Sequence, residues 1–156
     1  MGRVKPMIVL VVAALALADT VRAQTAAQPP LLNPNVATEK ELSTVAHITP
    51  DLAKAIVAKR TFATVVDLDK LLREQKLTDK QVLEVHDKLF VPLDLNSAAD
   101  EEILAIPGIG KRMLHEFKEY RPYKSMDQFR REIGKYIDKD KREAELARLE
   151  RYVMIK

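Results

Sequence analysis

The chain has 156 residues, 47% of them hydrophobic, with no cysteine and no tryptophan. That length holds one ordinary domain or two small ones, and the lack of cysteine excludes disulfide staples, thiol redox chemistry and cysteine-bound zinc. The formal net charge is +3, but Arg3, Lys5 and Arg22 against Asp19 put +2 in the first two dozen residues and leave +1 for the rest, which excludes a broad basic field as the means of holding a polyanion.

Residues 1–23 read as a secretory leader. "MGRVK" is a short basic segment, Met7 to Ala18 is an uncharged apolar stretch of twelve residues, and "VRA" supplies a cleavage site after Ala23. A spanning helix needs about 20 apolar residues, so this stretch is too short to serve as one. The expectation is a signal peptide, a mature chain starting near Gln24 in the periplasm or another extracytoplasmic space, and no stable membrane span after cleavage. The alternative is an uncleaved N-terminal anchor. Residues 24–31 read as an exposed linker, because Pro29 and Pro30 in succession stop any helix.

From Leu32 onward the pattern is helical, and it repeats. At an ungapped offset of 61 residues, Asn35 falls on Asn96, Ala37 on Ala98, Glu41 on Glu102, Val45 on Ile106, Ile48 on Ile109, Arg60 on Arg121 and Phe62 on Tyr123. Such a register predicts two copies of one helical unit, residues 32–91 and 92–156, each of about four short helices. In the first unit, Thr38 with Glu41 is a capping box opening a helix to about Val45. Pro50 begins a second helix running to about Arg60, in the first helical position that proline favours. "FATVVDLDKLL" predicts a third, and "LTDKQVLEVHDKLF" a fourth, capped by Thr78. The second unit follows the same order and ends in a long charged helix, "KDKREAELARLERYV". There Glu143, Glu145, Arg148 and Arg151 read as a solvated, ion-paired face.

The residue choices in "ILAIPGIGKRMLHEF", residues 103–117, ask for more than packing. Pro107 closes one helix, because the residue before a proline avoids the α region. Gly108 and Gly110, two of only four glycines, allow positive φ and close approach of another molecule. Ile109 between them turns back toward the core. Lys111 and Arg112 then open the next helix, where the unpaired N–H groups and the positive dipole end disfavour cations unless an anion sits there. A plain C-cap explains one glycine. A turn stripped for phosphate contact explains both.

These residues carry a resemblance. "LNSAADEEILAIPGIGKRMLHEFKEYRPYKSMDQF" resembles the helix-hairpin-helix domain of the ComEA-type DNA receptors of bacterial competence. The match runs through Asn96, Ser97, Ala98, Glu101, Glu102, Ile106-Pro107-Gly108-Ile109-Gly110, Tyr120-Arg121 and Tyr123. It is specific over about 35 residues and loose beyond them. The resemblance implies an all-α fold of tandem helix-hairpin-helix units and binding of double-stranded DNA, without sequence preference, through hairpin amides that donate to phosphate oxygens. It also implies action outside the cytoplasmic membrane. On this reading Gly108, Ile109 and Gly110 give amide donors and Lys111 and Arg112 add charge. Lys118, Arg121 and Lys124 extend the contact, although Arg121 recurs as Arg60 and has the alternative role of holding helices together.

The sequence departs from that family in two places. Where the family carries a second glycine hairpin, "REIGKYIDKDKREA" keeps Gly134 alone and adds Asp138 and Asp140. In the first unit the hairpin has become "AHITPD", with His47 in the place of Gly108, Thr49 in that of Gly110 and Asp51 in that of Arg112. Thr49 suits an N-cap and Asp51 complements the helix dipole, so this copy fills its own anion site and is expected to be structural or to meet a protein partner. The three histidines, His47, His86 and His115, have no metal-ligand spacing on one helix, and no Ser/His/Asp grouping has a nucleophile context. The expectation is a binding protein, with no enzymatic activity, cofactor or metal. The rival class is a protein-interaction adaptor in a secretion or pilus-type assembly.

Overall fold

The computed structural model describes residues 29–156. The expected leader, the choice between its cleavage and its retention, and residues 24–28 of the linker lie outside the described residues. Helices dominate. In chain order they are α1 (Glu39–Leu42), α2 (Pro50–Ala58), α3 (Val65–Glu74), α4 (Asp79–His86), α5 (Asp100–Leu104), α6 (Lys111–Glu119), α7 (Met126–Ile133) and α8 (Arg142–Leu149), with a 3₁₀ turn at Gly134–Tyr136 after α7.

Local chemistry starts most of these helices. Thr38, Thr49, Thr64 and Thr78 each accept a first-turn N–H through the side-chain oxygen, a contribution of about 1 kcal/mol per cap. Glu41, Asp67 and Gln81 return the bond to the cap residue's own N–H, as a capping box requires. In the second half only Ser125 caps in this way, at α7. Gly110, which precedes α6, offers no side-chain bond.

Two short strands correct the expectation of a purely helical chain. β1 (Leu93–Asp94) and β2 (Val153–Met154) pair in parallel, Leu93 opposite Val153 and Asp94 opposite Met154. Leu32 makes the corresponding parallel bridge to Leu89. Each half is therefore closed by its first and last residues. Two-residue strands some sixty residues apart leave no alternating run to read. The strand also takes Val153 out of the long terminal helix predicted from the charge pattern, which shrinks to Arg142–Leu149.

The bonds that shape each half recur at the offset of 61. Asn35 Nδ2–H donates to the Phe62 carbonyl at 2.9 Å, and the Phe62 N–H donates to Asn35 Oδ1 at 2.8 Å. Asn96 and Tyr123 repeat both bonds, at 3.0 and 2.7 Å. The Arg60 guanidinium donates to the Pro34 and Ala37 carbonyls, and that of Arg121 to the Leu95 and Ala98 carbonyls. One continuous core runs through both halves. Phe117, Phe129 and Tyr123 pack edge to face in the second half, with ring centroids 5.3 and 5.8 Å apart, each contact adding about 0.5–1.5 kcal/mol beyond buried area. Phe90 joins the halves by meeting Tyr152 edge-on at 4.9 Å.

Tyr123 sits where the first half has Phe62, and burial pushes its hydroxyl above the usual tyrosine range. The folded state thus keeps that proton longer than the unfolded chain does. The associated stability is whole below a pH of about 10 and is lost as pH rises beyond it. Tyr123→Phe gives up one long bond, 3.5 Å to the Glu116 carbonyl. It is expected to leave the melting temperature at neutral pH nearly unchanged and to make its alkaline decline shallower, as a thermal-denaturation pH series checks.

Among the described residues no helix is long and apolar enough to cross a membrane, and no group of three or more histidine or carboxylate side chains is placed to hold a metal ion.

Candidate nucleic-acid interface

The six-residue connection between α5 and α6 contains a turn bridged by one backbone bond, from the Ile109 N–H to the Ile106 carbonyl at 3.1 Å. That bond corrects one expectation. The Ile109 amide is consumed inside the turn and cannot donate outward, while its side chain packs against the core as predicted. The N–H groups of Gly108 and Gly110 make no hydrogen bond among the described residues.

The two glycines do different things. Gly108 adopts φ +80°, the left-handed region where glycine is unstrained. Gly110 has φ −111° and ψ 177°, extended backbone that any residue adopts, and a Cβ added there would meet nothing within 4 Å. Neither backbone shape nor packing therefore calls for glycine at 110. The equivalent turn of the first half makes this concrete. Ile48 N–H bonds the Val45 carbonyl at 3.1 Å, His47 takes the positive φ of 67°, and Thr49 caps α2 by accepting the Leu52 N–H at 3.2 Å. A threonine, and even a histidine, fit the same fold. At 110 the capping oxygen is missing and the corresponding donor, the Met113 N–H, meets no side chain there.

The charges around the turn sort into free and engaged. Lys111 and Arg112 are exposed and make no ion pair among the described residues. Lys124 is also exposed. Lys118 is held by Asp100 at 2.6 Å, a half-exposed pair worth about 0–1 kcal/mol and readily exchanged for another anion. Arg121 differs: Nε donates to Leu95 at 2.6 Å and a terminal nitrogen to Ala98 at 2.8 Å. Of the two roles open to it from the sequence, the one seen is holding backbone together. A cleft of about 350 Å³ beside α6 is lined by Asp100, Lys111, Leu114, His115, Lys118 and Glu119.

Three of the nearby acids are engaged or buried. The Glu102 carboxylate accepts the Ala99 N–H at 2.8 Å, Asp100 takes Lys118, and Glu116 is buried. In the first half, Glu84 bonds His47 at 2.5 Å and Asp51 sits in the first turn of α2. The His47 hydrogen bond holds the Glu84 carboxyl below the usual glutamate range. That hairpin presents carboxylates to an approaching phosphate.

Two braces set the α5–α6 turn in place, and neither was legible in the sequence. Arg148 of α8 donates to the Pro107 carbonyl at 2.9 Å while two further nitrogens grip Glu145 at 2.6 and 2.9 Å. Its hydrogen bonds hold the Glu145 carboxyl low. The expected solvated face of α8 is thus corrected: Arg148 is half-buried work surface for the hairpin, and Glu143 and Glu150 pair with Arg130 of α7. The second brace comes from the first half. His86 is fully buried, donates Nδ1–H to the Ala105 carbonyl at 2.9 Å, and places Nε2 2.7 Å from Asp69 Oδ1 without the alignment of a hydrogen bond. Bonds spanning 19 and 41 residues have no signal in local pattern.

No family model matches the chain, and no curated protein or solved structure matches it either.

Proposed function

We propose that this chain is an exported protein of two helix-hairpin-helix units that binds double-stranded DNA through the phosphate backbone, without sequence preference and without enzymatic activity. The observation that carries the reading is Gly110, a bare N-cap in extended backbone where a capping side chain fits and where Thr49 supplies one in the first half. An uncapped helix end flanked by unpaired Lys111 and Arg112 is disfavoured in isolation and favoured with an anion in place. The outward donors are the amides of Gly108 and Gly110 and the first turn of α6. Lys111 and Arg112 add charge, Lys118 shares a cleft with Lys111, Lys124 is exposed, and Arg121 holds the Leu95 and Ala98 carbonyls. DNA uptake, which the resemblance to ComEA-type receptors implies, is one setting for such binding. A second reading, an adaptor in a secretion or pilus-type assembly, draws support from an apolar cleft between the two halves.

Two or three phosphates fit one turn of this size. Fluorescence anisotropy with two labelled duplexes of unrelated sequence should give equal affinities, in the range of about 10⁻⁴–10⁻⁶ M, falling with salt at a log–log slope of about −2 to −3. A sequence-dependent affinity, or no dependence on salt, would exclude the backbone reading.

A further inference from the structure

Between the two halves lies a cleft of about 310 Å³ formed by α3, α4 and α5. Two leucines face it, Leu83 of α4 and Leu104 of α5, 43% and 38% exposed. Both are large apolar side chains left partly open to water, at a cost of about 1 kcal/mol each relative to full burial.

The repeat shows that the fold does not ask for them as they stand. Leu104 occupies the place of Ser43, an exposed polar residue at the end of α1. With Leu89 matched to Val153 through their parallel bridges, Leu83 falls on Ala147, an exposed small residue of α8, while buried Leu146 matches buried Val82. Only at this junction do the two positions leave apolar surface converging on open space.

The polar margin has one sign. Asp69, Asp79 and Glu101 line the cleft against a single cation, Arg73, and Arg73 is already paired with Asp79. The Glu101 side chain meets no cation among the described residues. At the floor, His86 Nδ1–H is committed to the Ala105 carbonyl, and Nε2 lies 2.7 Å from Asp69 Oδ1. Asp69 lies against His86 and Asp79 against Arg73, so the lining carboxylate left open to an incoming cation is Glu101.

We infer that this cleft docks a protein segment presenting aliphatic side chains flanked by lysine or arginine. The aliphatic groups lie between Leu83 and Leu104, and a flanking cation meets Glu101. The inference stands on the cleft alone and is independent of DNA binding at the α5–α6 turn.

The test is a titration of the full-length protein, ¹³C-labelled at leucine and valine methyls, with three capped tetrapeptides: Lys-Leu-Leu-Lys, Glu-Leu-Leu-Glu and Lys-Ser-Ser-Lys. The expected result is saturable shifts of the Leu83, Leu104 and Val82 methyl signals with the first peptide alone. Leu104→Ser, which installs the residue its counterpart position already tolerates, should weaken that binding by roughly tenfold or more and leave the DNA affinity of the folded protein unchanged. Absence of saturable shifts, equal shifts with all three peptides, or an unaffected Leu104→Ser variant would overturn the proposal. So would sedimentation showing that a second copy of the chain already covers these leucines.

Discussion

Gly110→Asp is expected to cut DNA affinity at least about tenfold, about 1.4 kcal/mol, in a protein that melts no lower than the original. The two halves of that result have separate causes. Extended backbone at φ −111° suits any residue, and nothing lies within 4 Å of the added Cβ. Aspartate at an N-cap improves on glycine by a few tenths of a kcal/mol, and its charge adds about 0.3–1 kcal/mol at the positive end of the helix dipole. The same carboxylate occupies the amides that a phosphate would use and repels it. The first half already carries this arrangement in Thr49 and Asp51. A variant that gains stability and loses DNA together separates ligand contact from misfolding. Gly108 cannot serve as cleanly, because a side chain at φ +80° costs roughly 1–2 kcal/mol and confounds the readout. Anisotropy beside thermal denaturation decides the matter, and undiminished binding by Gly110→Asp would remove the turn from the proposed interface.

Arg121→Lys is expected to destabilise the protein by about 2–3 kcal/mol, with DNA affinity of the folded form little changed. A lysine keeps the charge but cannot present two nitrogens in the fixed fork that Leu95 and Ala98 require. The lost partners are backbone carbonyls at 2.6 and 2.8 Å. Hydrogen bonds to charged donors contribute about 1.5–3 kcal/mol each and do not simply add. For a chain of this size the change in melting temperature is on the order of 10 °C. Arg60→Lys should give a loss of similar size, since its guanidinium holds Pro34 and Ala37 in the same way, in a half with no proposed DNA contact. A stable Arg121→Lys protein with weakened DNA binding would instead place the guanidinium on phosphate.

Much of the fold was readable because it is written in short range. Threonine caps with an acid or glutamine three residues on mark the starts of α1 and α4. A proline marks that of α2, and the Gly-Lys-Arg run marks that of α6, while α3 begins at Val65, three residues into its predicted stretch. The end of the chain is where the reading failed. Arg142 to Leu149 form a shorter helix than the charge pattern suggested, since the residues beyond it turn into a strand beside Leu93 and Asp94. Exposed leucines at 83 and 104 were invisible for a related reason: helical periodicity says which face is apolar, not whether a neighbour covers it.

The sequence by itself determined the repeat, the position of the turn between α5 and α6, and the replacement of that turn's bare cap by Thr49 and Asp51 in the first copy. Each depends on residues within a few positions of one another or on identity at a constant offset. Only the tertiary structure decided which of the candidate groups are available. It engages the Ile109 amide with Ile106, commits Arg121 to two carbonyls, and leaves Lys111 and Arg112 open. It also sets His86 and Arg148 behind the hairpin on Ala105 and Pro107. A donor's fate depends on which carbonyl the folded chain brings within about 3 Å, and for these groups that carbonyl lies up to 41 residues away, beyond the reach of any local pattern.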